Sequence, residues 1–213
     1  MISHARHLVK TRRRPDTFAM VPGKSLAKSL SEAMGLLDEC RRDPTFLENT
    51  ERFAEAATRT LERGGRLFAC GNGGSMSDAM HFTEELVGRF REIRPALSAM
   101  TFSDPATMTC IANDFGFEHV FARQVQAHGR PDDLLVTLST SGESENLILA
   151  ARSARERGLQ TVALLGRGGG KLASEADVSI IVPEATTPER IQEIHLLVLH
   201  AVIETIEANL VRE

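Results

Sequence analysis

Apolar residues in the first part of the chain recur at helical spacing. Leu26, Leu30, Met34 and Leu37 follow one another in three- and four-residue steps, the repeat of one α-helical face, and predict a helix over 26–41. A second helix over 44–63 carries Phe46, Phe53, Ala57 and Leu61 and is closed by Gly64-Gly65, a helix stop. Past residue 65 the rhythm changes. Short runs at 66–70, 97–102, 134–138, 160–165 and 178–182 are predominantly apolar and do not alternate with polar residues. Between them lie helical patterns at 76–89, 105–112, 117–127, 145–157 and 170–175, and one long helix, 188–211, follows Pro183 and opens on Pro188. Strands apolar on both faces are buried on both faces, which implies a parallel sheet. The expected architecture is α/β: a three-layer α-β-α sandwich around a five-stranded parallel sheet, preceded by two N-terminal helices. Ligands in such sheets bind beyond the carboxyl ends of the strands.

Two strand-to-helix junctions stand at such ends. The first, Gly71-Asn72-Gly73-Gly74-Ser75, brings backbone N–H groups close to any anion placed there; taken alone it reads equally well as a tight connection. The Asn72 amide can both donate to and accept from a sugar hydroxyl. The second junction, Ser139-Thr140-Ser141-Gly142-Glu143-Ser144, offers four hydroxyls in six residues, more than one helix cap needs, and suits a phosphate at a helix start.

The helix after the first junction carries His81 and Glu85 four residues apart, side by side on one face. Thr83 and Glu84 mark a wet side of this helix, so an ordinary exposed pair is the competing reading. On the last helix Gln192 and His200 are roughly 80° apart around the axis, close enough to converge, whereas His195 projects about 140° from His200 and reads as structural. Asn113-Asp114 lies between two short helical segments and reads, without further information, as an Asx turn or cap.

The bulk properties narrow the field. With 213 residues, 42% of them hydrophobic, the chain can bury one substantial core. A net charge of −4 gives no electrostatic case for nucleic acid. No run of 18 apolar residues is present to span a membrane. Cys40, Cys70 and Cys110 are scattered, an odd count that reads as reduced, buried thiols of a cytoplasmic protein. Residues 1–24 differ in character: Lys10, Arg12, Arg13 and Arg14 crowd together without apolar periodicity, as in a basic disordered extension, leaving 25–213 as the folded domain.

Taken together, CGNGGS…DAMHFTEEL, IANDFGFE, STSGESEN and RIQEIH…H, in that order and spacing, resemble the sedoheptulose-7-phosphate isomerases of the SIS (sugar isomerase) family, from about residue 26 to the C-terminus. The resemblance implies the flavodoxin-like SIS fold. It makes Asn72, Gly73, Gly74, Glu85, Asn113, Asp114, Ser139, Thr140, Ser141, Ser144 and Gln192 substrate-binding, with the serine loop on the phosphate. It makes His81, Glu85, Gln192 and His200 the ligands of a zinc ion, one per subunit, and assigns Glu85 as catalytic base and His200 as catalytic acid. It also implies a homotetramer, a sugar phosphate substrate and ADP-heptose biosynthesis as the setting. Two positions depart from the family pattern. Glu143 stands where asparagine is more usual, and a carboxylate aimed inward would repel a phosphate dianion, so its side chain is expected to face solvent. Glu189 replaces an aspartate and is given no role. The rival reading is a non-catalytic SIS protein of the DnaA-initiator-associating type; the retained Glu85, Gln192, His200 and STSG loop favour the enzyme.

Overall fold

The computed structural model describes residues 24–183 and 187–210; the basic extension lies outside them except for Lys24. Two helices open the fold, α1 (Lys24–Arg42) and α2 (Pro44–Glu62). Asp43 separates them by accepting from the N–H groups of Thr45 and Phe46 at 2.9 and 3.2 Å, an N-cap with proline at the first helical position. Strands and helices then alternate: β1 (Leu67–Gly71), α3 (Gly74–Val87), β2 (Ala99–Thr101), α4 (Pro105–Phe115), α5 (Ala122–His128), β3 (Leu134–Ser139), α6 (Glu145–Glu156), β4 (Gln160–Leu165), β5 (Val178–Ile181) and α7 (Pro188–Leu210). The sheet is parallel throughout in the order β2-β1-β3-β4-β5, the expected flavodoxin-like arrangement.

Each strand sends alternate residues to opposite cores. Leu67, Ala69, Leu134, Val136 and Leu138 join Phe53, Phe82 and Val198 under α1, α2, α3 and α7. Phe68, Cys70, Leu135 and Leu165 join Phe121, Leu147 and Ile148 under α4, α5 and α6. The helix following β1 therefore covers one face and the helix following β3 the other, although the two strands are neighbours. That is the topological switch point, where a crevice opens at the strand ends.

Several boundaries differ from expectation for identifiable reasons. β1 is shifted by one residue to 67–71, and β2 keeps only 99–101 of the apolar run 97–102. α3 occupies 74–87, two residues earlier than 76–89, because it starts immediately behind the glycine turn and ends at Gly88, whose N–H closes on Glu84 O at 2.7 Å. α4 continues to Phe115 instead of stopping at 112, since no breaker intervenes before Gly116, and so Asn113 and Asp114 belong to its last turn rather than to a turn between helices. The segment 117–127 is a 3₁₀ turn at 117–119 followed by α5, and 170–175 is 3₁₀ rather than α-helical. No helix among the described residues is long and apolar enough to cross a membrane. Cys40 and Cys70 are buried, with burial pushing the Cys40 thiol up to about 11, but Cys110 is exposed on α4, where the expectation of three buried thiols fails.

Candidate active site

Both sequence-derived junctions meet at the switch point. Asn72 and Asn146 exchange a pair of amide hydrogen bonds, 3.0 Å from Asn72 Nδ2 to Asn146 Oδ1 and 2.9 Å in return, stapling the β1–α3 turn to the first turn of α6. One N–H and one lone pair of each amide are thereby committed, and the others remain for a ligand.

The β3–α6 loop is shaped by its own hydroxyls. Ser139 Oγ accepts from Gly142 N at 3.0 Å and Ser141 Oγ from Glu143 N at 3.2 Å, so both O–H groups keep their hydrogens to donate. Gly142 has φ +66°, and a Cβ there would lie 1.9 Å from Gly169 O; only glycine lets the two loops pack. Ser144 stands at the N-cap of α6 yet makes no capping bond with its side chain. Its hydroxyl and the open N–H groups of the first turn form the kind of donor set that takes an anion. Thr140 adjoins them, half-buried. Glu143 turns away as expected: it is exposed, accepts from Lys171 N and pairs with Lys171 Nζ, both at 3.1 Å, and the hydrogen bond from Lys171 holds its pKa below the ordinary glutamate value.

The third group lies along the seam between α3 and α7. His81 Nε2 and His200 Nε2 are 2.9 Å apart, and Glu85 Oε1 is 3.7 Å from His81 Nε2. Glu84, one residue before Glu85, sits 3.2 Å from His81 Nδ1. A carboxylate only accepts, so this contact puts the His81 proton on Nδ1 and leaves the Nε2 lone pair aimed at His200. Two ring nitrogens this close need a shared proton or a cation between them. Gln192, farther toward the N-terminus of α7, donates to Ser75 Oγ at 3.4 Å. It reaches α3 because Gly74 has no side chain: a Cβ there would meet Gln192 Nε2 at 2.7 Å. Its Oε1 is left free.

The donor chemistry of this seam fits a zinc ion. His81 Nε2 faces both the His200 imidazole and the Glu85 carboxylate, donor types that suit zinc, and Glu84 stands behind its Nδ1 in the way metal-ligating histidines are usually held. Gln192 meets the opposite end of α3 rather than the histidines. His81, Glu84 and Glu85 also place ligand atoms within 4.8 Å of one another, so Glu84 is a donor that sequence reasoning treated only as a mark of a wet helix face. Its companion in that argument, Thr83, is buried, with its hydroxyl accepted by Ala79 O at 3.2 Å.

Other residues fall less closely. Asn113 and Asp114 are exposed, and their polar contacts are with each other at 2.8 Å and with Cys110; within one chain they stand apart from the seam. His195 is structural, as expected: fully buried, with Nε2 3.2 Å from Leu165 O. Sequence reasoning passed over Asp78, one turn ahead of His81 and two ahead of Glu85. Its Oδ2 is buried without a partner and burial raises its pKa, opposed by the nearby His81. It also passed over Phe90, whose ring lies 5.5 Å from that of His200. Phe90 lies beyond the end of α3 at Val87, so no helical periodicity could have reported its contact with His200.

Comparison with known proteins identifies the family. The SIS domain family matches residues 37–166. The phosphoheptose isomerase of Aeromonas salmonicida (strain A449) is 42% identical over 187 residues, covering 88% of this chain and 97% of that protein. That of Sodalis glossinidius (strain morsitans) is 44% identical over 188 residues, with the same shares. Among solved structures, the phosphoheptose isomerase from Neisseria gonorrhoeae aligns with a TM-score of 0.80 at 40% identity, over 86% of this chain and 97% of that one. The phosphoheptose isomerase from Francisella tularensis gives 0.82 at 33%, over 87% and 97%.

Proposed function

The chain belongs to the SIS domain family, among its phosphoheptose isomerases, and from that premise we propose that it converts sedoheptulose 7-phosphate to D-glycero-D-manno-heptose 7-phosphate, the first step of ADP-heptose synthesis. It is an isomerase acting on a sugar phosphate. The observation that carries the finer reading is the meeting of His81, Glu85 and His200 across the α3–α7 seam, beside a hydroxyl-rich loop built for a phosphate.

Aldose–ketose isomerisation moves a proton between C1 and C2 through an enediol, which needs a base at the carbon and an acid at the carbonyl oxygen. Glu85, its side chain 17% exposed, takes the C1 proton of the ketose while His200 delivers a proton to O2. Glu85 then returns its proton to C2 while His200 takes the O1 proton, which gives the aldose and restores both groups. Ser139, Thr140, Ser141 and Ser144 grip the phosphate, so binding energy is drawn from a group remote from the reacting carbons. Asn72, Gly73, Gly74 and Gln192 line the sugar between the two. His81, Glu85 and His200 are the residues that would hold zinc, which when bound supplies polarisation of the substrate carbonyl; Gln192, the fourth ligand the resemblance implies, instead reaches Ser75 at the other end of α3.

Oligomerisation belongs to the same reading. The stripe Leu26, Leu30, Met34 and Leu37 is 66, 58, 71 and 39% exposed on α1, a run of apolar surface that favours a homotetramer covering it; Asn113 and Asp114, exposed in one chain, would then meet substrate from a neighbouring subunit. A cytoplasmic location is in keeping with the unpaired cysteines. No nucleic acid or membrane partner is proposed. The test is to incubate the purified protein with sedoheptulose 7-phosphate and follow the sugar by NMR. Appearance of the aldoheptose 7-phosphate is expected; an unchanged spectrum with zinc-loaded protein refutes the reading.

A further inference from the structure

α3 ends at Val87, and the carbonyls of a last turn have no partner inside their own helix. Here a single guanidinium serves two of them. Arg94 Nη2 donates to Glu85 O at 2.9 Å and Nη1 to Leu86 O at 2.8 Å, with Nη1 also 3.2 Å from Pro95 O. The remaining direction of the fork goes to the other helix: Arg94 Nε donates to Glu207 Oε1 on α7 at 2.8 Å, and Glu207 Oε2 accepts from Arg91 N at 3.3 Å. The side chains of Arg94 and Glu207 are 1 and 6% exposed. A pair this dry has lost its hydration and depends on these bonds.

What the pair touches is specific. The carbonyl bound by Arg94 Nη2 belongs to Glu85. Glu207 lies seven residues beyond His200, two turns along the same face of α7. The segment 88–98 that carries Arg94 also carries Phe90, whose ring packs on that of His200. At the opposite end of α3, Gln192 reaches Ser75, so the seam is fastened on both sides of the histidines. A guanidinium is the group that can do this, since its planar fork spans two carbonyls and a carboxylate at once, where an ammonium cannot.

We propose that Arg94 and Glu207 are a positioning pair for the isomerisation, holding the last turn of α3 and the 88–98 segment against α7 so that the Glu85 carboxylate and the His200 imidazole keep their reacting separation. This rests on the reading of Glu85 and His200 as base and acid. Neither Arg94 nor Glu207 meets the substrate, so the loss on removing the pair falls on kcat rather than KM.

The test compares Arg94→Lys, Glu207→Gln and the double variant Arg94→Met/Glu207→Met with wild type, by steady-state kinetics, thermal unfolding and hydrogen exchange over residues 81–98. A displacement of about 1 Å costs about a hundredfold in rate, so Arg94→Lys and the double variant should lose about that in kcat while KM stays within about threefold. Replacing both members by apolar side chains removes the buried charges together and leaves stability near wild type or above it. Low kcat in a stable double variant is therefore the signature of positioning. Glu207→Gln keeps the acceptor for Arg94 Nε and should recover most of kcat, and it serves for the exchange measurement if the double variant does not fold. Faster exchange over 81–98, with β1 and β3 unchanged, is expected for Arg94→Lys. Wild-type kcat in the folded double variant, or unchanged exchange over 81–98, overturns the proposal. No turnover by the wild type would instead overturn the isomerase reading, and the two failures are told apart because exchange is read without substrate.

Discussion

His195 makes stability depend on pH in a way that can be isolated. The ring is fully buried between α7 and the end of β4, Nε2 donates to Leu165 O, and Nδ1 has no partner. Burial penalises the imidazolium and lowers the pKa from 6.5 to about 4. Above the unfolded value the ring is neutral in both states and carries no pH dependence. Between the two values the unfolded chain takes up a proton that the folded chain refuses, so stability is lost as pH falls through this window. At about 1.4 kcal/mol per pH unit, the loss amounts to about 2 kcal/mol between pH 7 and pH 5. The His195→Leu variant gives up the bond to Leu165 O, at a cost of about 1 kcal/mol that does not vary with pH. Carboxylates elsewhere contribute equally to both proteins and cancel in the difference. Urea unfolding followed by circular dichroism, at one protein concentration because assembly would shift both curves, should show the wild-type advantage falling by about 2 kcal/mol over that range. Parallel stability curves for the two proteins would refute the argument.

Four further outcomes are expected. Glu85→Gln and His200→Ala should each lose about 10²–10⁴ in rate, the usual worth of a general base or acid, with circular dichroism unchanged; near-normal turnover in either variant removes that residue from the chemistry. Ser141→Ala combined with Ser144→Ala should raise KM more than it lowers kcat, because a remote phosphate grip is largely uniform binding, and inorganic phosphate should compete with substrate in the wild type only. Protein purified without chelator should contain about one zinc per chain, and His81→Ala should lose metal and activity together; full activity in demonstrably metal-free protein refutes the metal role. Leu30→Glu with Met34→Glu, placing charges on the exposed face of α1, should shift the proposed tetramer to smaller species in sedimentation; an assembly unmoved by both charges shows that α1 is not its interface.

The fold was legible because its strands are predominantly apolar on both faces. That signal needs no partner to interpret it: a run such as Leu134–Leu138, in which Thr137 alone is polar, has no wet face to show water, so the sheet had to be covered on both sides. Boundaries were less legible where capping decides them. α4 passes through Asn113 and Asp114 because the next residue able to leave the helical region is Gly116, at φ +93°, and Asx residues that look like a turn in sequence are carried inside the last turn. The stripe on α1 was legible as one helical face, and in a single chain that face is exposed. Periodicity reports which residues share a face, and only assembly decides what that face meets.

The site divides along the same line. Junctions formed within one stretch of chain, such as Gly71–Ser75 and Ser139–Ser144, announce themselves, because glycine and hydroxyl residues between a strand and a helix have few other uses. The α3–α7 seam does not, since His81 and His200 are 119 residues apart and each helix alone shows only a polar residue on an amphipathic surface. Family resemblance supplied that pairing; the residues that support it stayed hidden. Glu84 looks like solvent-facing punctuation until its carboxylate is found behind His81 Nδ1. Arg94 looks like one more arginine in a charged loop until its side chain proves to be 1% exposed. Side chains that bind substrate are constrained by the ligand's chemistry and so leave a pattern. Those that hold the binders in place are constrained only by where two distant helices happen to meet, and that meeting exists in three dimensions alone.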